Sequence, residues 1–185
     1  MSGLRLYQGE WHLRLWVDEQ AMGDYYFMLG KQPASVLAGW LADPRTGCRV
    51  WNEVPQPDET VTWSGTCGSD GVAMGSGVRE FRYGGKVSRY EGELVNGRMH
   101  GPGTRIWPSG VRHEGQWRDG RATGPGLRIW TSGNRYEGEW RDDLAHGHGV
   151  LTLANGDRYE GTWVDGCFRE GDRRAAAGRS LSDCP

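Results

Sequence analysis

From residue 86 onward, large apolar residues alternate with polar ones at a period of two, and the alternation restarts every 23 residues. The copies are YEGELVNGRMHGPGTRIWPSGVR from Tyr90, HEGQWRDGRATGPGLRIWTSGNR from His113 and YEGEWRDDLAHGHGVLTLANGDR from Tyr136, followed by a truncated YEGTWVDG from Tyr159. Within each copy a ring, a glycine and a second large residue share one face: Tyr90/Gly92/Leu94, His113/Gly115/Trp117, Tyr136/Gly138/Trp140 and Tyr159/Gly161/Trp163. The intervening Glu91 and Glu93, and their equivalents, must point the other way. That spacing predicts a strand with one apolar face. A glycine-rich turn is expected next, at Gly97, Gly101 and Gly103 and again at Gly120, Gly124 and Gly126. A second strand, TRIW, LRIW or VLTL, then closes on Ser-Gly or Asn-Gly, the usual punctuation of a hairpin. Units of this size stack because none is stable alone. The expected fold is all-β: one elongated, single-layer antiparallel sheet of consecutive hairpins.

The first 85 residues carry fainter echoes of both strands. Gly47-Cys-Arg-Val-Trp51 and Gly77-Val-Arg-Glu-Phe81 echo the second strand, and Gly23-Asp-Tyr-Tyr-Phe27 does so more weakly. Tyr7-Gln-Gly9-Glu-Trp11, Leu37-Ala-Gly39-Trp-Leu41 and Trp63-Ser-Gly65-Thr-Cys67 echo the first. The two kinds interleave as hairpins require. The expected organisation is a repeat domain over 1–170, degenerate over 1–85 and regular over 86–170, with about six hairpins and a terminal strand. Residues 171–185 are a tail or a cap over the last edge. A separate β-rich cap over 1–85 is the competing arrangement. Pro55-Gln-Pro57-Asp-Glu59 reads as a loop, since two prolines do not fit a central strand.

The Tyr-x-Gly-x-Trp start, the His-Gly-x-Gly middle (Met99–Gly103, Ala145–Gly149) and the late glycines Gly110, Gly133 and Gly156 resemble the MORN (membrane occupation and recognition nexus) repeat. The chain departs from that pattern at His113, where tyrosine is expected, at Thr123 and at Asp143. The resemblance implies a hairpin solenoid with a non-catalytic binding role, and leaves the ligand open.

Composition narrows the partner. Net charge is −2 with both signs mixed, which removes the electrostatic footprint of a nucleic-acid binder. Anionic lipid calls for clustered basic residues, yet the chain's lysines are only Lys31 and Lys86 and the arginines of the repeat are matched by acids. Membrane lipid is therefore disfavoured. The N-terminus lacks the apolar run of a secretory signal, and no stretch approaches the ~20 apolar residues of a span. Cys48, Cys67, Cys167 and Cys184 form no C-x-x-C pair; the expectation is free thiols and a cytoplasmic protein. Arg-, Ala- and Gly-rich composition suggests a high-GC bacterial gene.

No catalytic motif is present: there is no Gly-x-Ser-x-Gly elbow and no phosphate loop. No metal or other cofactor is expected. His100 and His146 hold the same repeat position two hairpins apart, on the order of 20 Å, too far to share an ion; both are expected in turns. The pairs Arg89/Glu91, Arg112/Glu114, Arg135/Glu137 and Arg158/Glu160 should form a solvated ladder opposite the rings. The candidate partner-binding residues are Trp51, Phe81, Trp107 and Trp130 on second strands, with Tyr90, Trp117, Tyr136 and Trp140 on first strands. Exposed Trp and Tyr are favoured interface anchors. Stacking of the first-strand set within the sheet is the simpler alternative for those four. The expected function is a non-enzymatic module gripping another protein along a concave aromatic groove. An inhibitor of a toxin or effector (an antitoxin or immunity protein) or an adaptor would suit it. Peripheral lipid binding and homodimer or scaffold assembly are the alternatives.

Overall fold

The computed structural model describes residues 39–185, together with the backbone of three earlier strands. Those strands, β1 (Arg5–Tyr7), β2 (Glu10–Val17) and β3 (Gln20–Phe27), form an antiparallel sheet in the order β1-β2-β3. The side chains of the echoes proposed around Gly9 and Gly23, Phe27 included, lie outside the described residues.

The regular repeats form the expected hairpins. β9 (Lys86–Val95) pairs with β10 (Arg98–Ile106), β11 (Arg112–Arg118) with β12 (Arg121–Ile129), β13 (Arg135–Arg141) with β14 (Leu144–Thr152), and β15 (Arg158–Val164) with β16 (Cys167–Glu170). With β8 (Ala73–Tyr83) and β6 (Thr60–Trp63) before them and β17 (Arg173–Ala176) after, they make one open sheet; β7 (Thr66–Cys67) pairs at its side with β8. All pairings are antiparallel between sequence neighbours, apart from β6 meeting β8 across β7.

The turns are tighter than the sequence suggested. Each hairpin closes on two residues with positive φ: Asn96–Gly97, Asp119–Gly120, Asp142–Asp143 or Asp165–Gly166. Asn-Gly and Asp-Gly suit a two-residue turn because both positions need the left-handed region. The glycine-rich middle is therefore not the turn. Gly101, Gly124 and Gly147 have φ near +60° inside β10, β12 and β14, and the pairing register shifts beside them. They are β-bulges, which glycine permits within a strand. His100 and His146, expected in turns, consequently stand on strands.

Each turn also bonds to the hairpin before it. The backbone N–H of Gly97 donates to Ala73 O (2.9 Å), Gly120 to Met99 O (2.9 Å), Asp143 to Ala122 O (3.1 Å) and Gly166 to Ala145 O (2.7 Å). Ala73, Ala122 and Ala145 are fully buried where the turns cross them.

The early hairpin does not simply lengthen the sheet. β4 (Trp40–Ala42) and β5 (Arg49–Trp51) form a separate two-stranded ribbon, and the Pro55/Pro57 loop stops β5 from running on into β6. The ribbon docks on the turn edge through Trp51 N to Gly97 O (3.1 Å) and Arg49 N to Gly71 O (2.9 Å). Asp43 staples it to β6: its buried carboxylate accepts from Trp63 N (2.8 Å) and pairs with Arg45 (2.9 Å). These partners, the Arg45 hydrogen bond foremost, hold its pKa down at about 2.

The cysteines are not free thiols. Cys48 pairs with Cys67 and Cys167 with Cys184. The sequence shows no local motif because each bridge joins elements that only the fold brings together. The first ties the β5 ribbon to β7. The second ties the segment after β17, with its short 3-10 turn Leu181–Asp183, back to β16. Closing loops of 19 and 17 residues constrains the unfolded chain. A Cys167→Ser/Cys184→Ser variant should lose about 2 kcal/mol in urea unfolding; unchanged stability would mean that the bridge closes nothing the unfolded chain would otherwise explore.

Candidate functional site

The first-strand rings lie flat over glycine notches. Tyr90 covers Gly92 and Gly103, and a Cβ at Gly92 would stand 2.5 Å from its hydroxyl. Tyr136 covers Gly138 and Gly149 in the same way, and Trp63 covers Gly65 and Gly77 in the degenerate region. The rings then meet edge to face in a column: Tyr90–Trp117 at 5.8 Å, Trp117–His113 at 5.0 Å, His113–Trp140 at 4.9 Å, Trp140–Tyr136 at 5.0 Å and Tyr136–Trp163 at 5.0 Å. That is the favoured aromatic geometry.

The polar atoms of the column's tyrosines and tryptophans are satisfied on the backbone. Trp117, Trp140 and Trp163 donate Nε1–H to Gly103, Gly126 and Gly149 carbonyls at 3.0–3.1 Å. Tyr90 donates to Glu93 O and His100 O, and Tyr136 to Glu139 O. Burial pushes the Tyr90 hydroxyl up to about 12. A one-layer sheet thus covers its apolar face with its own rings. Tyr90, Trp117, Tyr136 and Trp140 are core residues with no surface to offer a partner, and Phe81 is buried with them.

Of the eight candidates, Trp51, Trp107 and Trp130 remain half-buried at the surface. Two residues before each repeat tryptophan sits an arginine on the same face. Arg105 lies over the Trp107 ring (4.6 Å), Arg128 over both Trp107 (5.2 Å) and Trp140 (4.1 Å), and Arg79 over Phe81 (4.6 Å). Arg98, from the turn side, covers Trp51 at 4.3 Å. The site is therefore a row in which guanidiniums alternate with indoles.

These arginines differ from those on the opposite face. There Arg89, Arg112 and Arg158 bond to Glu91, Glu114 and Glu160 at 2.6–3.0 Å, as expected. Arg79 and Arg128 are buried, and among the described residues neither Arg79 nor Arg105 has a carboxylate within 4 Å. Burial lowers the pKa of Arg79 to about 9 and of Arg128 to about 10, and lowers that of Arg105 as well. Arg128 is anchored on Asp143, donating to its backbone O at 3.2 Å and standing 3.8 Å from its Oδ1. The signal was in the alternation: Arg-x-Trp places both side chains on one face. Matching every arginine to a neighbouring acid hid it.

Two concavities open on this row. One, about 300 Å³, lies between the 52–59 loop and β8–β10, with Arg79, Arg105, Trp51 and Trp107 in its walls. The other, about 440 Å³, lies between Arg128, Trp130 and the C-terminal segment at Gly178–Arg179. Among the described residues, no cluster of His, Cys, Asp or Glu is placed to hold a metal ion.

The family model for the MORN repeat matches residues 90–112, 113–135, 136–158 and 159–166, the same units that the ring column and turn bonds delimit. Residues 90–166 are MORN repeats. MORN repeats are generally modules that bind proteins or lipid, and are generally non-catalytic. No curated protein matches the chain in sequence. In these MORN repeats Tyr90, His113 and Tyr136 are the notch-covering rings, and Leu94, Trp117, Trp140 and Trp163 the residues that lock one hairpin to the next.

Proposed function

We propose that this chain is a non-enzymatic protein-binding module, and that the Trp107–Trp130 row with Arg105 and Arg128 is its contact surface. The observation that carries this is the contrast between the two aromatic sets. The first-strand rings close on one another, whereas Trp107 and Trp130 keep part of their indoles at the surface beside open concavities. Trp and Arg are the residue types that dominate interface energetics. A module that is largely repeat acts by occupancy, as an adaptor or as an inhibitor of the antitoxin or immunity kind.

The lipid reading has less support. Arg79 and Arg105, which lack acid partners among the described residues, line a concavity that a flat bilayer does not enter, and on the opposite face Arg89, Arg112 and Arg158 are paired. Self-assembly through the edge strands β6 and β17 is the remaining alternative. Two disulfides favour an oxidising compartment over the cytoplasm.

The test is a tagged pull-down from the native host, read by mass spectrometry, with wild type beside a Trp107→Ala/Trp130→Ala variant. Each half-buried indole contributes little to the sheet, so the variant should keep its β-sheet circular dichroism while a stoichiometric partner is lost. A partner retained by the variant would move the site elsewhere. A wild type that brings down nothing specific would remove the protein-binding reading from the lead.

A further inference from the structure

The cavity between the 52–59 loop and β8–β10 is lined by the cations Arg79 and Arg105, with Glu53, Glu59 and Asp119 elsewhere in its lining. Arg79 is 3% exposed; among the described residues its one hydrogen bond is from Nη2 to the weak acceptor Met99 Sδ (3.4 Å), and its Nε–H has no partner. The Arg105 Nε–H is likewise buried and unpartnered. The two side chains flank Tyr90 across adjacent strands, since both register opposite it. A buried cation without a close counter-charge is unfavourable, and Glu59 acts on Arg79 only from beyond ion-pair distance. The charge of Arg79 and that of Arg105 oppose each other here, after burial itself, in lowering the Arg79 pKa.

The acids nearby are otherwise engaged. Glu59 accepts from Asn52 Nδ2 (2.7 Å) and Gln56 N (3.1 Å), and burial raises its pKa. Glu53 stands 4.0 Å from Arg98 at the entrance. The flat apolar part of the wall is Trp51, Phe81 and Trp107, with guanidiniums already stacked on Phe81 and Trp107 at 4.6 Å. The volume, about 300 Å³, is at the small end of pockets that take organic ligands.

We propose that this cavity binds a monocarboxylate carried on a flat apolar body, its oxygens taken by the Arg79 and Arg105 guanidiniums and its body held between Trp51, Phe81 and Trp107. Guanidinium donors and a carboxylate match in plane and in charge. A single negative charge is the right dose. Glu53, Glu59 and Asp119, also in the lining, oppose a dianion such as phosphate more strongly than a monoanion, which still supplies charge to the guanidiniums. The same group reaches the cavity either on a free organic acid or at the C-terminal end of a peptide. The inference does not rest on the protein-partner reading, because the small-acid arm of its test involves no protein partner.

The experiment titrates the full chain with 3-phenylpropionate, with its uncharged amide, with acetyl-Gly-Gly-Phe bearing a free or amidated C-terminus, and with inorganic phosphate. Tryptophan fluorescence and calorimetry read the binding. The acid form of 3-phenylpropionate, of the peptide, or of both should bind, and the matching amide should bind at least about tenfold more weakly. Arg105→Gln should weaken the acid by about tenfold or more while the melting temperature stays that of wild type. That variant is the decisive one, because Arg105 is half-buried and its loss leaves the ring column intact, whereas Arg79 is in the core. Preference for the small acid assigns a free organic acid, and preference for the peptide assigns a chain terminus. Equal binding of acid and amide, tighter binding of phosphate, wild-type affinity in Arg105→Gln, or no binding by either acid would overturn the proposal.

Discussion

Replacing Trp140 with alanine is expected to cost about 4 kcal/mol of folding stability, a large part of what a domain of this size has. Trp140 is buried between His113 and Tyr136, with ring centroids at 4.9 and 5.0 Å, and carries Arg128 over its face at 4.1 Å. Removing it empties the centre of the column, because a one-layer sheet has no second layer to collapse into the gap. It also strips Gly126 O of its indole donor and Arg128 of the ring that shields it. The effect should also change the shape of unfolding. Repeats contact only their neighbours, and Trp140 joins the second hairpin to the third, so one cooperative urea transition should split or broaden. Trp130→Ala, at a half-buried position outside the column, should cost about 1 kcal/mol and leave a single transition. Equal losses in the two variants would mean that the column is not the core.

The ring column was legible in the sequence as far as its spacing. Alternation at period two put Tyr90, Gly92 and Leu94 on one face, and the 23-residue return stacked the copies. What spacing does not encode is where a glycine's freedom is used. Gly101 and Gly124 read as turn residues by composition, but Asn96–Gly97 and Asp119–Gly120 had already closed the turns, which left the later glycines to bulge the strands. The glycines opposite the rings were harder still. Gly92, Gly103, Gly138 and Gly149 are there because a ring lies over them, a contact between two strands that one strand's pattern cannot show. That same contact removed Tyr90, Trp117, Tyr136 and Trp140 from the surface. The disulfides were hidden for a related reason, since Cys48 and Cys67 meet only through the docking of the β4–β5 ribbon. The arginine row was present in Arg105-x-Trp107 and Arg128-x-Trp130, but net charge near zero averaged it away. Burial, not count, makes those charges distinctive.

His113→Tyr is expected to stabilise the protein and to abolish most of its sensitivity to mild acid. His113 fills a place that tyrosine fills in the neighbouring repeats, wedged between Trp117 and Trp140, fully buried, with neither ring nitrogen bonded among the described residues. Tyr90 and Tyr136 use their hydroxyls on the carbonyl three residues on, Glu93 O and Glu139 O. A tyrosine at 113 would find Gln116 O in the same position, for a gain of about 1 kcal/mol at pH 7. The larger effect lies below pH 6.5. Burial first, then the charges of Arg128 and Arg105, hold the imidazole pKa down at about 3. The unfolded chain takes up a proton at the ordinary histidine value near 6.5 while the folded chain does not. Stability from this group is therefore whole above pH 6.5 and falls as pH drops towards 3, by about 3 kcal/mol between pH 7 and pH 4. Asp43, with its folded pKa near 2, adds its own loss only below about pH 4, and does so in both proteins. Urea midpoints at pH 7, 5.5 and 4 separate the two: wild type should fall steeply across that range and His113→Tyr much less. Parallel curves would mean that the imidazole gains a proton in the fold, and the column would then have to hold a cation between two indoles.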